Sequence, residues 1–407
     1  MKEIYLIYDN LENGEFRYAN ASNLVRSNVS LRGYFYYLTT KNKKDFEKYG
    51  IFFKKISPNE IFNTTGRTFI YPISTRSLKT YQKDEFNKSI LDYINPISLD
   101  LIQNRRATLM IDFEEGFSSD ELGFGYLEKL LTDKCIPLDK VYFLFSNLKS
   151  RGRYSFNTVI LPFGWLKKAK KTEYLEYLSF NDVHENLENK KYNFLCYNQI
   201  IRSHRLLLLF FLFKNNLIND NLISFDKVSK EELEKYTGFS NNLLAKNKSL
   251  IDNIERKTPL ILDQSDFSKN FVSVPDVIEH YNQSYFSIVT ETLAQNDSIF
   301  FSEKIFKPIL MYQPFFLLGC PGSLEKLKEY GFQTFNRWWD ESYDLELNLT
   351  KRILKILKEV KRFSILREEQ KKRIILEMKP VLEHNRKVYY SNSKLIIDEM
   401  AKMFLNL

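Results

Sequence analysis

Cysteine is nearly absent from this sequence: Cys135, Cys196 and Cys320 are odd in number, far apart and without CxxC spacing. That argues against a disulfide framework and a thiolate zinc site, and it fits a reducing compartment. The 4 histidines lack metal-ligand spacing as well. Glycine (13) and proline (11) are few for 407 residues, so tight connections and long elements are expected. No apolar run approaches the ~20 residues that cross a bilayer. The longest, 206–213, follows Arg202, His204 and Arg205. The chain opens Met1-Lys2-Glu3-Ile4-Tyr5-Leu6, a strand pattern without the features of a signal peptide. A cytoplasmic protein with no membrane span is therefore the expectation. Also missing are GxxxxGK[ST], GxGxxG after the first strand, HExxH, GxSxG and any Cys/His pairing that suggests a nucleophile.

What is present is apolar and aromatic. Hydrophobic residues make up 43% of the chain, with 34 Phe and 25 Tyr, ample for packed cores. A chain of this length predicts two domains of about 150–200 residues. The net charge is +9, but residues 351–407 hold 15 Lys and Arg against 7 Asp and Glu. Nearly all the excess thus belongs to the C-terminal helices, either as a solvated helix face or as a surface for nucleic acid or another polyanion.

Short apolar strands alternate with helical patterns. In the first half, strands are predicted at 4–8, 34–39, 51–53, 68–72, 107–113 and 140–145, with helices at 81–94 and 120–131. A second series has strands at 192–198, 223–225, 285–290 and 315–318, and helices at 206–215, 230–236, 243–255 and 323–330. An aromatic loop at 335–344 and three charged helices complete the chain. Such alternation predicts largely parallel α/β sheets. The expected division is an acceptor-side domain at 1–185, a donor-side domain at 186–385, and a last helix at 386–407 packing back on the first domain.

Four groups of residues are candidates for chemistry. Ser302 is a good helix N-cap, with Glu303 and Lys304 in the first turn. A cation beside the N–H groups of a first helical turn makes a site for phosphate or diphosphate. The loop 199–205 carries Arg202 and Arg205 from a strand to a helix, where two guanidinium groups either clamp a diphosphate or stand exposed. Arg202 comes earlier in the loop; Arg205 has the alternative of pointing along the first turn into structure. Glu291 and Glu303 either accept bonds from sugar hydroxyls, pair with Arg202 or Lys304, or serve the helix dipole. Past a buried strand, Asp112, Glu114 and Glu115 suit a general base for an acceptor hydroxyl. Asp112 and Glu114 alternatively have the spacing of a divalent-metal pair. Trp338-Trp339 either stacks a base or sugar or caps the core, with Asp340 and Asp344 as turn residues.

Taken together, 198–205 with its apolar helix, Thr290-Glu291-Thr292, 302–308, Gln313-Pro314-Phe315, 331–335 and 340–344 resemble a family of glycosyltransferase-like proteins. That family is widespread in phages, large viruses and bacteria, and is distantly similar to α1,3-fucosyltransferases of the GT-B architecture. The resemblance covers 190–345 and rests on the order of the pieces. It implies a GT-B-like fold: two Rossmann-like domains with parallel sheets facing a central cleft, plus C-terminal helices. It also implies transfer of a sugar from a nucleotide-diphosphate donor to a hydroxyl of a glycan or of modified DNA, with the nucleotide sugar as co-substrate and no obligatory metal. In fucosyltransferase-like enzymes a Ser/Thr-Glu-Lys and a basic residue after the first strand of the second domain contact the donor diphosphate. Those roles fall here on Ser302, Glu303 and Lys304, and on Arg202 with Arg205. The chain departs from the family's Glu-Asn-Ser, having Thr290-Glu291-Thr292. Two other readings stay open: a metal-dependent GT-A-like transferase using Asp112 and Glu114, and a non-enzymatic nucleic-acid-binding protein using the C-terminal helices.

Overall fold

A computed structural model describes residues 1–8, 39–40, 42–63, 66–75, 86–113, 124–149, 154–162, 177–184, 187, 190–198, 200–238, 245–262, 274–295 and 297–407. The chain forms two compact units, Met1–Thr172 with Ser391–Leu407, and Glu173–Tyr390.

The first unit is built on six parallel strands: β1 (Lys2–Ile7), β2 (Ile51–Ile56), β3 (Thr68–Thr75), β4 (Ala107–Phe113), β5 (Val141–Phe145) and β6 (Asn157–Ile160), in the order β2-β1-β3-β4-β5-β6. The inner strands β1, β3, β4 and β5 are largely buried and rich in Ile, Leu and Phe, as a sheet covered on both faces demands, whereas the edge strands are more open: β2 exposes Lys54 and Lys55, and no residue of β6 is buried. Helices α1 (Lys43–Glu47), α2 (Pro96–Gln103) and α3 (Phe124–Asp133) accompany the sheet. Phe124 meets Phe143 edge to face at 5.0 Å and lies against Tyr154 at 4.5 Å. Sequence direction reverses across the sheet between β1 and β3.

Over the described residues 86–94, the predicted helix 81–94 does not form. A 3₁₀ turn, Ile90–Tyr93, stands there, closed by a capping box of Ser89 and Asp92. Asn87, in the left-handed region at φ 60°, interrupts an α-helix there, and Pro96 opens α2 at the first helical position, where Asn95 is held extended and caps the N–H of Ile97 at 2.9 Å. Most of the predicted strand 34–39 and the acids Glu114 and Glu115 lie outside the described residues.

In the second unit four parallel strands, β7 (Tyr192–Tyr197), β8 (Leu222–Ser224), β9 (Ser284–Thr290) and β10 (Phe315–Leu318), take the order β10-β9-β7-β8. The helices of this unit are α4 (Phe180–His184), α5 (Ser203–Lys214), α6 (Lys230–Thr237), α7 (Lys248–Lys257), α8 (Val274–Gln283), α9 (Glu303–Leu310), α10 (Ser323–Glu329), α11 (Leu349–Ser364) and the part of α12 (Glu368–Asn406) that precedes Ser391, the rest of α12 belonging to the first unit. Helix α5 buries Leu206, Leu209, Phe210 and Phe213 against Phe225, Leu233, Ile251 and Ile254. Trp339 stacks on Phe316 at 4.4 Å and is enclosed with Phe335 and Tyr343, so it completes the core rather than offering a platform for a ligand. Two charged helices, not three, end the chain. Helix α12 continues through Pro380, because that residue and Leu376, whose carbonyl loses its usual donor, both lie on the exposed side.

Lys190 is buried at the start of β7, where its ammonium donates to the carbonyls of Tyr281 (3.2 Å), Asn282 (3.3 Å) and Ser284 (2.8 Å). Burial lowers it from its ordinary 10.5 to about 7. Between these values the unfolded chain binds the proton that the folded chain has released, so this group adds stability as pH rises through that window. The stability of the wild type relative to Lys190→Met should therefore grow by about 2 kcal/mol from pH 7 to pH 9. Urea unfolding of both proteins at the two values reads this directly; a flat difference would contradict the shift.

Candidate functional site

The second sheet reverses direction between β7 and β9: the chain passes from β7 outward to β8, then returns to β9 on the other side. In open parallel α/β sheets the loops at the carboxyl ends of two such strands diverge and leave a crevice for ligands. The loop after β7 leads into α5 and the loop after β9 into α9, and their residues interlock.

Asn198, just past β7, has its side-chain carbonyl bonded by Thr290 Oγ1 at 2.6 Å and donates to Cys196 Sγ at 3.1 Å. Arg205 is buried, donating to the carbonyls of Ile200 (3.0 Å), Glu291 (3.2 Å) and Thr290 (3.4 Å). The Nε2 of His204 donates to the same Glu291 carbonyl at 2.9 Å. Burial, aided by the neighbouring Arg205, lowers His204 to about 3, so its ring is neutral; burial likewise lowers Arg205 to about 10. Arg205 and His204 thus tie the end of β9 to the start of α5, and the Arg205 guanidinium is turned into backbone.

Glu291 is buried as well. Ser302 N–H donates to both its carboxylate oxygens at 3.2 Å, Ser302 Oγ adds a third bond, and Thr292 N–H reaches Oε2 at 3.3 Å. Burial raises its carboxyl above the ordinary range, opposed by the nearby Lys304 charge. Its role in the structure is to fasten the 291–302 loop to the start of α9. Ser302 caps α9, its Oγ accepting from Lys304 N–H at 3.2 Å. The backbone N–H groups of a first turn have no acceptor within the helix.

Two cations, Arg202 and Lys304, are both felt electrostatically by His204 in this frame. Lys304 is partly exposed, its ammonium 3.3 Å from Ser302 Oγ and 3.4 Å from Thr292 Oγ1, with Glu303 at 4.0 Å. Arg202 occupies the N-cap of α5, where its side chain makes no capping bond, and its buried Nε has no hydrogen-bond partner among the described residues. The helix begins at Ser203, three residues earlier than the apolar pattern predicts, which moves Arg202 from mid-loop to the helix entrance. Phosphate oxygens are suitable partners for such cations and for first-turn N–H groups.

Asp112 closes β4 in the first unit, fully buried, with Ser74 Oγ donating to it at 2.6 Å. No three His, Cys, Asp or Glu side chains gather as metal ligands among the described residues. The sequence reading missed Arg352. This guanidinium is enclosed, donating to Ala294 O (2.7 Å) in the loop after β9, to Gly319 O just past β10, and to Glu346 O (2.8 Å). Its signal was periodicity: position 352 falls on the apolar stripe 349, 353, 356, 360 and 363 of α11. Gly319 is confined there, since a Cβ would lie 2.8 Å from Ser323 Oγ. Asp344 caps α10 through Leu324 N–H at 3.0 Å, a turn role as anticipated.

No protein-family model and no curated protein sequence matches the chain. Among solved structures it is similar in fold to Anabaena Alr3699/HepE, crystallised in complex with UDP and glucose (TM-score 0.44, 10% identity, all of both chains covered). An α1,3-fucosyltransferase aligns at TM-score 0.43 and 10% identity, over 97% of this chain and 90% of that one. The N-terminal domain of Candida albicans trehalose-6-phosphate phosphatase aligns at TM-score 0.42 and 11% identity, over 98% and 97% of the two chains.

Proposed function

We propose that this chain is a glycosyltransferase that moves a sugar from a nucleoside-diphosphate donor to an acceptor hydroxyl, with the donor diphosphate seated on Arg202, Lys304 and the first turn of α9. The observation that carries this reading is the pair of cations at the β7/β9 crevice, one with an unpartnered buried Nε among the described residues, above a buried frame that uses up Arg205, His204 and Glu291. In transfer the bond from the sugar's anomeric carbon to the phosphate oxygen breaks and a bond to the acceptor oxygen forms. The acceptor's proton goes to a carboxylate, which we assign to one of Asp112, Glu114 and Glu115. Negative charge grows on the leaving diphosphate, and fixed cations in a partly dry site stabilise it without reorganising. Glu303 orients Lys304 or accepts from a donor hydroxyl.

Release of nucleoside diphosphate from UDP-, GDP-, CDP-, ADP- and dTDP-sugars, in chelator, tests this. One donor class should turn over without added metal. Turnover only with a divalent ion would move the leaving-group role to that ion, with Asp112 and Glu114 as the residues that would hold it, and no turnover of any donor with or without metal would count against transfer.

A further inference from the structure

Helix α11 carries a feature that the donor site does not use. Its inner face is packed: Ile353, Ile356, Leu357 and Val360 are buried, and Phe363 meets Phe286 edge to face at 5.2 Å. The helix cannot roll without breaking that contact, so its outer face is fixed outward. That face holds Lys351, Leu354, Lys355, Lys358, Lys361 and Arg362, at spacings of three and four residues. Apolar side chains extend it at both ends. Leu347 is 81% exposed, Leu345 68%, Leu354 44% and Ile365 83%.

Cations outnumber acids on this face. Glu346 pairs with Lys355 at 3.4 Å, and Glu359 with Arg362 at 2.8 Å. Asp340 is exposed nearby and feels Lys355 and Lys358. Lys351, Lys358 and Lys361 form no ion pair among the described residues. Four exposed aliphatic side chains interleaved with lysines suit one class of partner above others. Ammonium groups are drawn to headgroup phosphates, while leucine and isoleucine enter the acyl boundary. Nucleic acid would favour arginine forks and stacking aromatics; the outer face of the helix itself has one arginine, Arg362, and no aromatic, while Trp338, Arg337 and Arg367 lie at its margin.

We propose that the outer face of α11, with Leu345 and Leu347, docks the folded chain on a bilayer surface rich in anionic phospholipid. Attachment is by charge and shallow insertion. No described helix is long and apolar enough to cross a membrane.

Co-sedimentation of the full chain with vesicles tests this, using equal parts phosphatidylcholine and phosphatidylglycerol beside phosphatidylcholine alone. Binding should require the anionic lipid and weaken with salt. Each lysine near a charged surface contributes roughly 5-fold, so Lys351→Ala/Lys358→Ala/Lys361→Ala should weaken partition by roughly 100-fold. Leu347→Ser/Leu354→Ser/Ile365→Ser should also weaken it while keeping the salt dependence. Both variants alter exposed positions and should melt with the wild type, whereas Lys304→Ala should sediment as the wild type does. Three results overturn the proposal: no sedimentation with anionic vesicles, partition unchanged in both triple variants, or full displacement by a DNA duplex. The last would assign the face to nucleic acid.

Discussion

Lys304→Ala should lower turnover by roughly 10²–10³-fold and leave the melting temperature within about 2 °C of the wild type. The ammonium is partly exposed, and its two nearest oxygens, Ser302 Oγ and Thr292 Oγ1, lie at 3.3 and 3.4 Å. Losing such long contacts costs the fold little, and the Lys304 charge that opposes the effect of burial on Glu291 acts alongside the Ser302 and Thr292 donors that remain. Ser302 would still cap α9 and Glu291 would still hold Ser302, because neither bond involves the lysine side chain. What disappears is a positive charge where a leaving diphosphate would develop its own. The measurement is donor turnover beside a melting curve. Unchanged turnover would remove Lys304 from the site, and a large fall in melting temperature would make it a structural residue instead.

Arg352→Met is expected to have the opposite profile. It removes the shared donor of Ala294 O, Gly319 O and Glu346 O and leaves enclosed carbonyls unpaired. A loss of roughly 3–5 kcal/mol in stability follows. Arg352→Lys should recover only part, since one ammonium cannot span the arrangement of a guanidinium fork. By contrast Lys351→Ala, one residue away on the exposed face, should change stability by less than about 0.5 kcal/mol. Urea unfolding of the three variants orders them; equal stability of Arg352→Met and wild type would refute the role. The consequence is functional as well, because Arg352 links the loops following β9 and β10.

How much of this was legible in the sequence varies with the kind of force involved. Strands such as 107–113 and 315–318 were readable because a strand buried on both faces must be a continuous apolar run. Ser302 was readable because an N-cap has a local chemical signature. The predicted helix 81–94 failed over its described part because Asn87 turns into the left-handed region, which a window of apolar spacing ignores. The partition of Arg202 and Arg205 was only half legible. They lie three residues apart on the same helix entrance, and which one enters the protein depends on carbonyls of β9 some 85 residues later in the chain. Glu291 presents the same difficulty: its partner Ser302 is fixed by a returning loop, so its place beneath the cations could not be read from spacing. The C-terminal excess of charge was visible at once. Its division was not, for Arg352 and Lys371 are buried while Lys351, Lys358 and Lys361 face outward.

Calorimetric titration of the wild type and of Arg202→Ala/Lys304→Ala with nucleoside diphosphates tests whether a diphosphate belongs at the β7/β9 crevice. One nucleoside diphosphate should bind in chelator, its nucleoside without phosphate should bind far more weakly, and the double variant should lose at least about 100-fold in affinity, near tenfold for each charge-assisted contact. Equal binding of diphosphate by the wild type and the double variant, or no binding of any nucleoside diphosphate, would contradict the account.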